Sequence, residues 1–298
     1  MISIKNIPEF DSITHKPEPD INWDIPLISF SQLQTYHACP NKWKLRYIDK
    51  LRLETYNIHL LYGTAMHQVI QMYIHYIFNV SVKQADNLDL HGLLLHYMTE
   101  LYLTNKNDET VTMNITRAEM DEFYDDGIKC IDWIKSNRTK YFSTKKYKLF
   151  AIEYPIYTIL DDYGVGILQK LDIVLQDKQT NEYLIIDLKT AKQSWKDYKK
   201  KDDILRTQLI LYKIFFGNNM NISIDKIKTV FYVLKRKVLD PEQFDFPMKV
   251  SYIQKVDVPN GNITMNKSKN LISESLFPFF NLAIISSSVS DINSFLRF

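Results

Sequence analysis

The sequence predicts an α/β fold in which helices flank a mixed β-sheet. Three consecutive runs between residues 148 and 190 show the two-residue alternation that is typical of strands. Apolar residues at helical spacing fill much of the chain before these runs, and one helical stretch and a fourth alternating run follow them. The predicted core order is therefore helix, three strands, helix and strand, with a helical insert.

Composition narrows the class of protein. With 298 residues, 45% hydrophobic and 13% aromatic, the chain can bury a full core. Lys and Arg number 37 against 35 Asp and Glu, so bulk charge does not indicate a nucleic-acid partner. The two cysteines, Cys39 and Cys130, have no zinc-binding spacing and indicate free thiols. No apolar run reaches membrane-spanning length, and we expect a cytoplasmic protein without a membrane partner.

The N-terminal region contains an arm and a first helix. Four prolines in residues 1–28 predict an extended arm rather than a helix or a central strand. Ser29 and Ser31 are both suitable N-caps, and we predict that a helix begins at one of them and runs until Pro40 interrupts it.

A long helical region follows. A second amphipathic helix is predicted to begin at Gly63 or Thr64. Apolar residues then keep helical spacing to about residue 141, which predicts a helical insert at about 80–145. Its two halves are joined by a polar link at 105–114.

The strand-rich region begins at Lys148. We predict strands at 148–160, 165–176 and 183–190, which form a meander because only short polar turns separate them. A helix over 204–216 is predicted to have Asp202 or Asp203 as N-cap and Gly217 as C-cap, and a fourth strand follows at 228–237. Residues 238–298 form a C-terminal extension.

The third strand carries the candidate chemistry. In YLIIDLKT the strand period puts Asp187 and Lys189 on one face. A hairpin brings Asp172 of the preceding strand beside Asp187, so that two carboxylates can share one hard divalent cation. Mg²⁺ keeps waters in such a site, and one of them can become a nucleophile that Lys189 orients or helps to deprotonate.

Simpler interpretations remain open for each of these residues. The Asp-x-Lys pattern alone is explained by an ordinary ion pair at a strand end. Gln208 and Tyr212 project from one face of the following helix and could contact phosphate or metal-bound water, although a half-buried Tyr is the simpler interpretation. His67, within GTAMH, is expected in the first turn of its helix, where it could bind metal or phosphate; a core His is the alternative. Glu153 ranks lower, since one carboxylate on a strand is usually solvated.

Three lysine-rich and arginine-rich clusters could contact nucleic acid, although a solvated face would explain any single cluster. The cluster after the third strand is the candidate nucleic-acid surface. It consists of Lys192, Lys196, Lys199 and Lys200, with Tyr212 as a further contact.

Five segments together resemble a known family. In order they read SFSQLQTYHACPNKWKLRY, GTAMH, LDIVL, IIDLKT and QLILY, and they span residues 29–237. They resemble the RecB-like nucleases of the PD-(D/E)XK superfamily, which include CRISPR-associated and phage exonucleases. The resemblance implies a restriction-endonuclease-like core of helix, three strands, helix and strand, and a nuclease domain over 29–237.

The resemblance also implies roles for individual residues. Asp172 and Asp187 match the metal-binding carboxylates, and Lys189 matches the catalytic lysine. His67 matches the motif histidine, a further metal ligand, and the Leu188 carbonyl is implied as another. Gln208 and Tyr212 match the paired residues of the following helix. The implied cofactor is Mg²⁺ or Mn²⁺.

The chain departs from the family pattern in three ways. Relatives often have a glycine where this chain has Gln169, with Gly166 further upstream, which leaves the path of that strand open. Many relatives bind an iron-sulfur cluster through four cysteines, one in the early Cys-Pro motif and three near the C-terminus. Cys39 matches the first of these, but the C-terminal region has no cysteine, so we predict no iron-sulfur cluster. No Walker A motif occurs, which argues against a built-in helicase motor.

The expected function is metal-dependent hydrolysis of DNA by an exonuclease in recombination, repair or phage DNA processing, in a bacterial cell or a phage-infected host. A recombination or replication protein is a possible partner. Two alternatives stay open: a nuclease-like DNA-binding scaffold without catalysis, and an RNA-directed nuclease.

Overall fold

A computed structural model of the chain describes residues 7–14, 19–51, 54–239, 250–259, 261, 264–271 and 273–274. Within these residues a six-stranded mixed sheet has helices packed on its faces, which confirms the predicted α/β class. The helices are α1 (Phe10–Ile13), α2 (Phe30–Ala38), α3 (Pro40–Trp43), α4 (Ile58–His75), α5 (Val82–Asp86), α6 (Leu90–Lys106), α7 (Arg117–Tyr141), α8 (Asp197–Lys200) and α9 (Asp203–Met220). The strands are β1 (Leu27–Ile28), β2 (Glu54–Tyr56), β3 (Val111–Met113), β4 (Tyr147–Leu160), β5 (Val165–Asp177), β6 (Tyr183–Ala191), β7 (Ile227–Lys235) and β8 (Ile253–Asp257).

Strands β4, β5 and β6 form the predicted antiparallel meander. The parallel strand β7 joins β6 through the crossover helix α9, and β8 pairs antiparallel with β7. The short strand β1 pairs parallel with the first half of β5, beside Gly166. A Cβ atom on Gly166 would lie 2.8 Å from the side chain of Leu27, so the missing side chain lets β1 approach β5 closely.

The sheet separates two apolar layers. Helices α4, α6 and α7 pack on one face, where Ile186 and Leu188 of β6 are buried. Helices α2 and α9 pack on the other face, over Ile185 of β6 and Phe231 of β7. Both faces of β6 are therefore covered, which explains its nearly continuous apolar sequence.

Two predicted helix boundaries are wrong. Helix α4 begins at Ile58 rather than at Gly63 or Thr64, because Asn57 caps it by accepting a hydrogen bond from the Leu60 N–H. Helix α9 continues past Gly217 to Met220, and Asn221 ends it in the left-handed conformation at φ 52°.

Elements also occur where none was expected. The predicted extended arm contains α1 and β1, and the predicted polar link at 105–114 contains β3, which pairs parallel with β2. The C-terminal extension supplies β8, and Ser268 within it contacts Thr207 of α9 through their hydroxyls at 3.0 Å. Most of 260–298, and all of 240–249, lie outside the described residues. The division into arm, domain and extension therefore stays a prediction.

None of the helices in the described part of the chain combines the length and the apolar character needed to cross a membrane.

Candidate active site

The candidate site lies where β5 and β6 separate. Their pairing ends at Ile173 and Ile186, so the next residues, Asp172 and Asp187, face each other at the fork. Beyond this point β5 no longer pairs with β6 through its backbone. The Asp172 side chain instead holds the two strands together, because its Oδ2 accepts a hydrogen bond of 2.7 Å from the Leu188 N–H. The strand register thus brings the two predicted carboxylates to one point.

Burial dominates the electrostatics of these two acids. It raises the pKa of Asp172 well above its usual range, and the charge of Asp187 raises that pKa further. Burial also raises the pKa of Asp187, and the positive charge of Lys189 offsets part of that shift. Two carboxylates held together in this way favour a bound proton or a bound cation.

Lys189 provides the positive charge at the fork. Its Nζ lies 2.9 Å from Asp187 Oδ2, with 31% of the lysine side chain exposed and 2% of the aspartate side chain. Burial lowers the pKa of Lys189, but the charges of Asp187 and Asp172 outweigh burial, and the net shift is upward. Lys189 is therefore a cation at pH 7, and an ammonium group cannot accept a proton from water.

His67 reaches the fork from helix α4. Its Nδ1 lies 3.6 Å from Asp172 Oδ2. Burial and the charge of Lys189 lower its pKa to about 4, and a hydrogen bond with the Leu188 backbone opposes this shift. The imidazole is therefore neutral at pH 7. Because α4 begins at Ile58, His67 lies near the middle of the helix, and the expected placement in a first turn is wrong.

Gln208 and Tyr212 lie together on α9, as their spacing predicts. The Gln208 amide nitrogen donates a hydrogen bond of 2.9 Å to the Tyr212 hydroxyl. Burial raises the pKa of Tyr212 well above its usual range, and the charges of Asp187 and Asp172 raise it further. Tyr212 is therefore a neutral hydroxyl beside the two acids.

Gln71, one turn after His67 on α4, was not among the predicted residues. Its amide nitrogen donates to Glu153 Oε1 at 2.6 Å and to the Asp172 carbonyl at 3.0 Å. Glu153 has a φ of 50°, a conformation that is uncommon for residues other than glycine and that concentrates at functional sites. The sequence signal for Gln71 was a glutamine among the apolar residues of a predicted helix. No local pattern predicts the positive φ of Glu153.

A pocket of about 440 Å³ opens beside this cluster. The residues that line it include His67, Gln71, Glu153 and Lys189. Helix α4 comes close to β6 here, since a Cβ atom on Gly63 would lie 3.2 Å from the Thr190 hydroxyl. The glycine of GTAMH therefore leaves space between α4 and the site.

The chemistry of the donors fits a hard divalent cation. Two carboxylates and the Leu188 carbonyl offer oxygen ligands, and the buried Asp187 Oδ2 has the Lys189 ammonium 2.9 Å away to balance its charge. Over the described residues, no three His, Cys, Asp or Glu side chains form a metal-binding group. Mg²⁺ keeps several waters when it is bound to a protein, so the oxygen atoms of Asp172, Asp187 and Leu188 are a sufficient set of protein ligands for it.

The predicted basic cluster follows β6. Lys192, Lys196 and Lys199 are exposed. Lys200 is ion-paired with Asp197 at 3.0 Å and is thus partly neutralised. The segment also holds Tyr198, whose side chain is 76% exposed. This residue was not predicted, although an aromatic residue among lysines is a recognised signal for nucleic-acid contact.

The two cysteines lie at different helices and have different environments. Cys39 is exposed at the start of α3, and Cys130 is buried in α7. With two cysteines the chain has too few for a four-cysteine iron-sulfur cluster.

A family model and a solved structure match this chain. A family model described as "PD-(D/E)XK nuclease superfamily" matches residues 27–255. No curated protein matches the chain. A solved structure described as "Crystal structure of SSO0001" aligns over 83% of this chain and 92% of its own, with 12% sequence identity and a TM-score of 0.28.

Proposed function

Since the chain belongs to the PD-(D/E)XK nuclease superfamily, we propose that it is a divalent-metal-dependent nuclease that hydrolyses phosphodiester bonds of DNA. The observation that carries this proposal is the strand fork, where Asp172 and Asp187 face each other and Lys189 lies 2.9 Å from Asp187. An ordinary surface ion pair would not require a second carboxylate buried beside it.

Each residue has a distinct task in the proposed reaction. Asp172, Asp187 and the Leu188 carbonyl would hold Mg²⁺ or Mn²⁺, with neutral His67 as a further ligand. The bound ion supplies Lewis acidity and a water of lowered pKa. The Lys189 ammonium orients this water and offsets the negative charge that builds up on the phosphate, because a fixed cation in a low-dielectric site stabilises that charge strongly.

The second group of residues contacts the substrate. Gln208 and the Tyr212 hydroxyl orient a phosphate oxygen or a water on the α9 side of the fork. The exposed lysines Lys192, Lys196 and Lys199, and the ion-paired Lys200, bind phosphates of the strand beyond the cut site.

The finer function is that of an exonuclease in recombination, repair or phage DNA processing, in the bacterial cell or a phage-infected host. The likeness of the motifs to the RecB-like group supports this finer assignment.

Cleavage of labelled DNA tests the proposal. End-labelled linear DNA, circular DNA and RNA of the same sequence are incubated with the protein and Mg²⁺ or Mn²⁺. We expect cleavage of linear DNA, and a loss of about 100-fold or more in rate for Lys189→Ala, because one electrostatic contact to the transition state is removed. Lys145→Ala, at an exposed lysine away from the fork, is the control and should cut like the wild type.

The substrates separate the alternatives. Equal rates for wild type and Lys189→Ala would contradict the role of the lysine. Salt-dependent DNA binding without cleavage in any metal would indicate a DNA-binding scaffold. Cleavage of RNA alone would indicate an RNA-directed nuclease, and cleavage of circular DNA would contradict a strict exonuclease.

A further inference from the structure

Gln71 ties helix α4 to two strands at the fork. The residue is 0% exposed and lies one turn after His67 on α4. Its amide nitrogen carries two N–H groups and contacts two acceptors, Glu153 Oε1 at 2.6 Å and the Asp172 carbonyl at 3.0 Å. One buried side chain therefore contacts β4 and β5 at the same time.

Strand β4 is irregular at Glu153. Residues two apart in a regular strand share a face, yet Ile152 packs in the apolar layer of α4 and Tyr154 packs against the layer of α2 and α9. The φ of 50° at Glu153 accounts for this switch of faces. A strained backbone of this kind persists only where the surrounding structure holds it, and the contact with Gln71 is one such restraint.

Strand β5 shows the same switch at Asp172. Leu171 packs in the layer of α2 and α9, whereas Ile173 packs in the layer of α4. The register puts Asp172 opposite Glu153, because the residues on either side of the two are paired. The proposed metal ligand thus lies at a point where neither strand is regular, and strand geometry alone does not fix its position.

Contacts from other elements fix Asp172 instead. The Leu188 N–H donates to its carboxylate at 2.7 Å, and Gln71 donates to its carbonyl. His67 precedes Gln71 by four residues and lies on the same side of α4. Its Nδ1 is 3.6 Å from Asp172 Oδ2. The spacing of these two proposed metal ligands therefore depends on the contact that Gln71 makes.

We propose that Gln71 is a positioning residue for the metal site. By holding Glu153 and the backbone of Asp172, it keeps the Asp172 carboxylate and the His67 imidazole at a spacing that favours cation binding. Groups that hold metal ligands in place commonly change metal affinity by about 10- to 100-fold. The inference rests on the proposed nuclease function and adds to it a residue that sets the affinity for the cation.

Calorimetric titration with Mn²⁺ alone, without DNA, tests the inference. Gln71→Met removes both hydrogen bonds but keeps an unbranched side chain of similar size among the apolar residues of α4. We expect its Kd for Mn²⁺ to rise about tenfold or more. On DNA, kcat should fall while KM stays nearly constant, because the change acts on the metal ligands rather than on binding of the substrate.

Gln32→Met is the matched control. Gln32 is also a buried glutamine, 5% exposed, but it lies on α2 at the other face of the sheet. The same substitution there should affect the Tm alone and leave the Kd for Mn²⁺ unchanged. Thermal unfolding without Mn²⁺ shows whether each variant is folded.

Gln71→Asn is a milder second variant. Its amide is one methylene shorter and cannot reach both acceptors, while the charge stays the same. Its Kd for Mn²⁺ should lie between those of the wild type and Gln71→Met. This variant decides the question if Gln71→Met does not fold.

Hydrogen exchange of the Leu188 amide reports on Asp172 without any metal, since this N–H donates to Asp172 Oδ2. In the Gln71 variants this amide should exchange faster than in the wild type. The Ile186 amide, in the part of β6 that pairs with β5, should change far less.

The possible outcomes are distinct. An unchanged Kd for Mn²⁺ in the folded Gln71 variants would overturn the inference and leave the nuclease function intact. Unchanged exchange at Leu188, or equally faster exchange at Leu188 and Ile186, would also overturn it, because Gln71 would then serve general stability. A wild type that neither binds Mn²⁺ nor cuts DNA would contradict the nuclease function itself.

Discussion

At Asp172 and Asp187, the requirements of folding stability conflict with those of the proposed chemistry. Burial raises the pKa of both carboxyl groups, and the charge of Asp187 adds to the upward shift at Asp172. Without a cation, ionising both acids at pH 7 costs free energy of folding. Natural sites of this kind exchange stability for function.

This conflict predicts the behaviour of Asp172→Asn. The amide oxygen can still accept the hydrogen bond from the Leu188 N–H, while the buried charge is removed. We therefore expect a higher Tm than that of the wild type in the absence of metal. Saturating Mn²⁺, at about 100 times its Kd, should stabilise the wild type by about 2.7 kcal/mol and the variant by far less.

Thermal unfolding with and without Mn²⁺ measures both effects. Asp162→Asn, at an exposed turn residue, is the control and should keep the wild-type response to metal. An undiminished rise in the Tm of Asp172→Asn with Mn²⁺ would argue against a role of this carboxylate in metal binding.

At the scale of the element, Gly217 shows why α9 contains a glycine without ending there. The Ile222 N–H donates to the Gly217 carbonyl, so the chain after the helix folds back over this residue. A Cβ atom on Gly217 would lie 2.9 Å from the Ile222 carbonyl oxygen. The glycine is needed for close approach of backbone, not for a left-handed cap.

Gly217→Ala should therefore destabilise the protein. Alanine is the better helix former by about 1 kcal/mol, but the close backbone approach must open, and overpacking costs about 1–3 kcal/mol. Denaturant unfolding should show a lower free energy of unfolding. Asn218→Ala, at the next and exposed position, should change it by less than about 0.5 kcal/mol or raise it. Equal stability of the two variants would contradict the close approach.

A group of ion pairs joins α7 to the residues that directly follow β7. Arg236 lies 2.6 Å from Asp126, and its guanidinium stacks over Phe123 at 3.7 Å. Arg236 and Lys237 also contact the Glu122 carboxylate at 2.8 and 3.1 Å. The helical insert is thus attached to the strand that pairs with β6.

This attachment predicts a pH dependence of stability. Hydrogen bonds from Arg236 and Lys237 lower the pKa of Glu122 from 4.5 to about 2. A lowered pKa in the folded state contributes stability above pH 4.5, and this contribution disappears as the pH falls towards 2. We expect the stability of Glu122→Gln to decrease less than that of the wild type over this window.

Urea unfolding at a series of pH values checks this prediction. Glu109→Gln, the same change at an exposed residue outside the cluster, should follow the wild-type curve. Parallel curves for wild type and Glu122→Gln would show that the ion pairs of Glu122 make no contribution.

At the scale of the whole molecule, the distribution of charge matters more than its sum. The formal net charge is +2, yet Lys192, Lys196 and Lys199 are exposed together after β6, the strand that carries Asp187 and Lys189. A local basic surface of this kind attracts a polyanion without a high overall charge.

We expect Lys196→Ala combined with Lys199→Ala to weaken DNA binding for all sequences alike. The slope of log Kobs against log salt should become shallower by about 1 for each phosphate that the variant no longer neutralises. Titrations in metal-free buffer at several salt concentrations measure this slope. The double variant Lys83→Ala and Lys145→Ala, at exposed lysines elsewhere, should keep the wild-type slope.

The predicted part of the fold is the part with strong local patterns. Alternation predicted β4, β5 and β6 to within one or two residues. A cap at Ser29 or Ser31 was predicted for the first helix, and Ser29 is the residue that caps α2. The short strand β1 and the late strand β8 were missed because two to five residues carry too little periodicity, and they are strands only where a neighbour pairs with them.

Local sequence by itself determined the α/β class, the meander and the candidate acids, since side-chain periodicity and turn residues act over a few positions. Only the tertiary structure decided that the β5–β6 pairing stops at Ile173 and Ile186, that His67 approaches from mid-helix, and that Gln71 and Glu153 complete the cluster. These contacts join residues far apart in the chain, and their geometry depends on how α4 and α9 pack against the sheet rather than on any local preference.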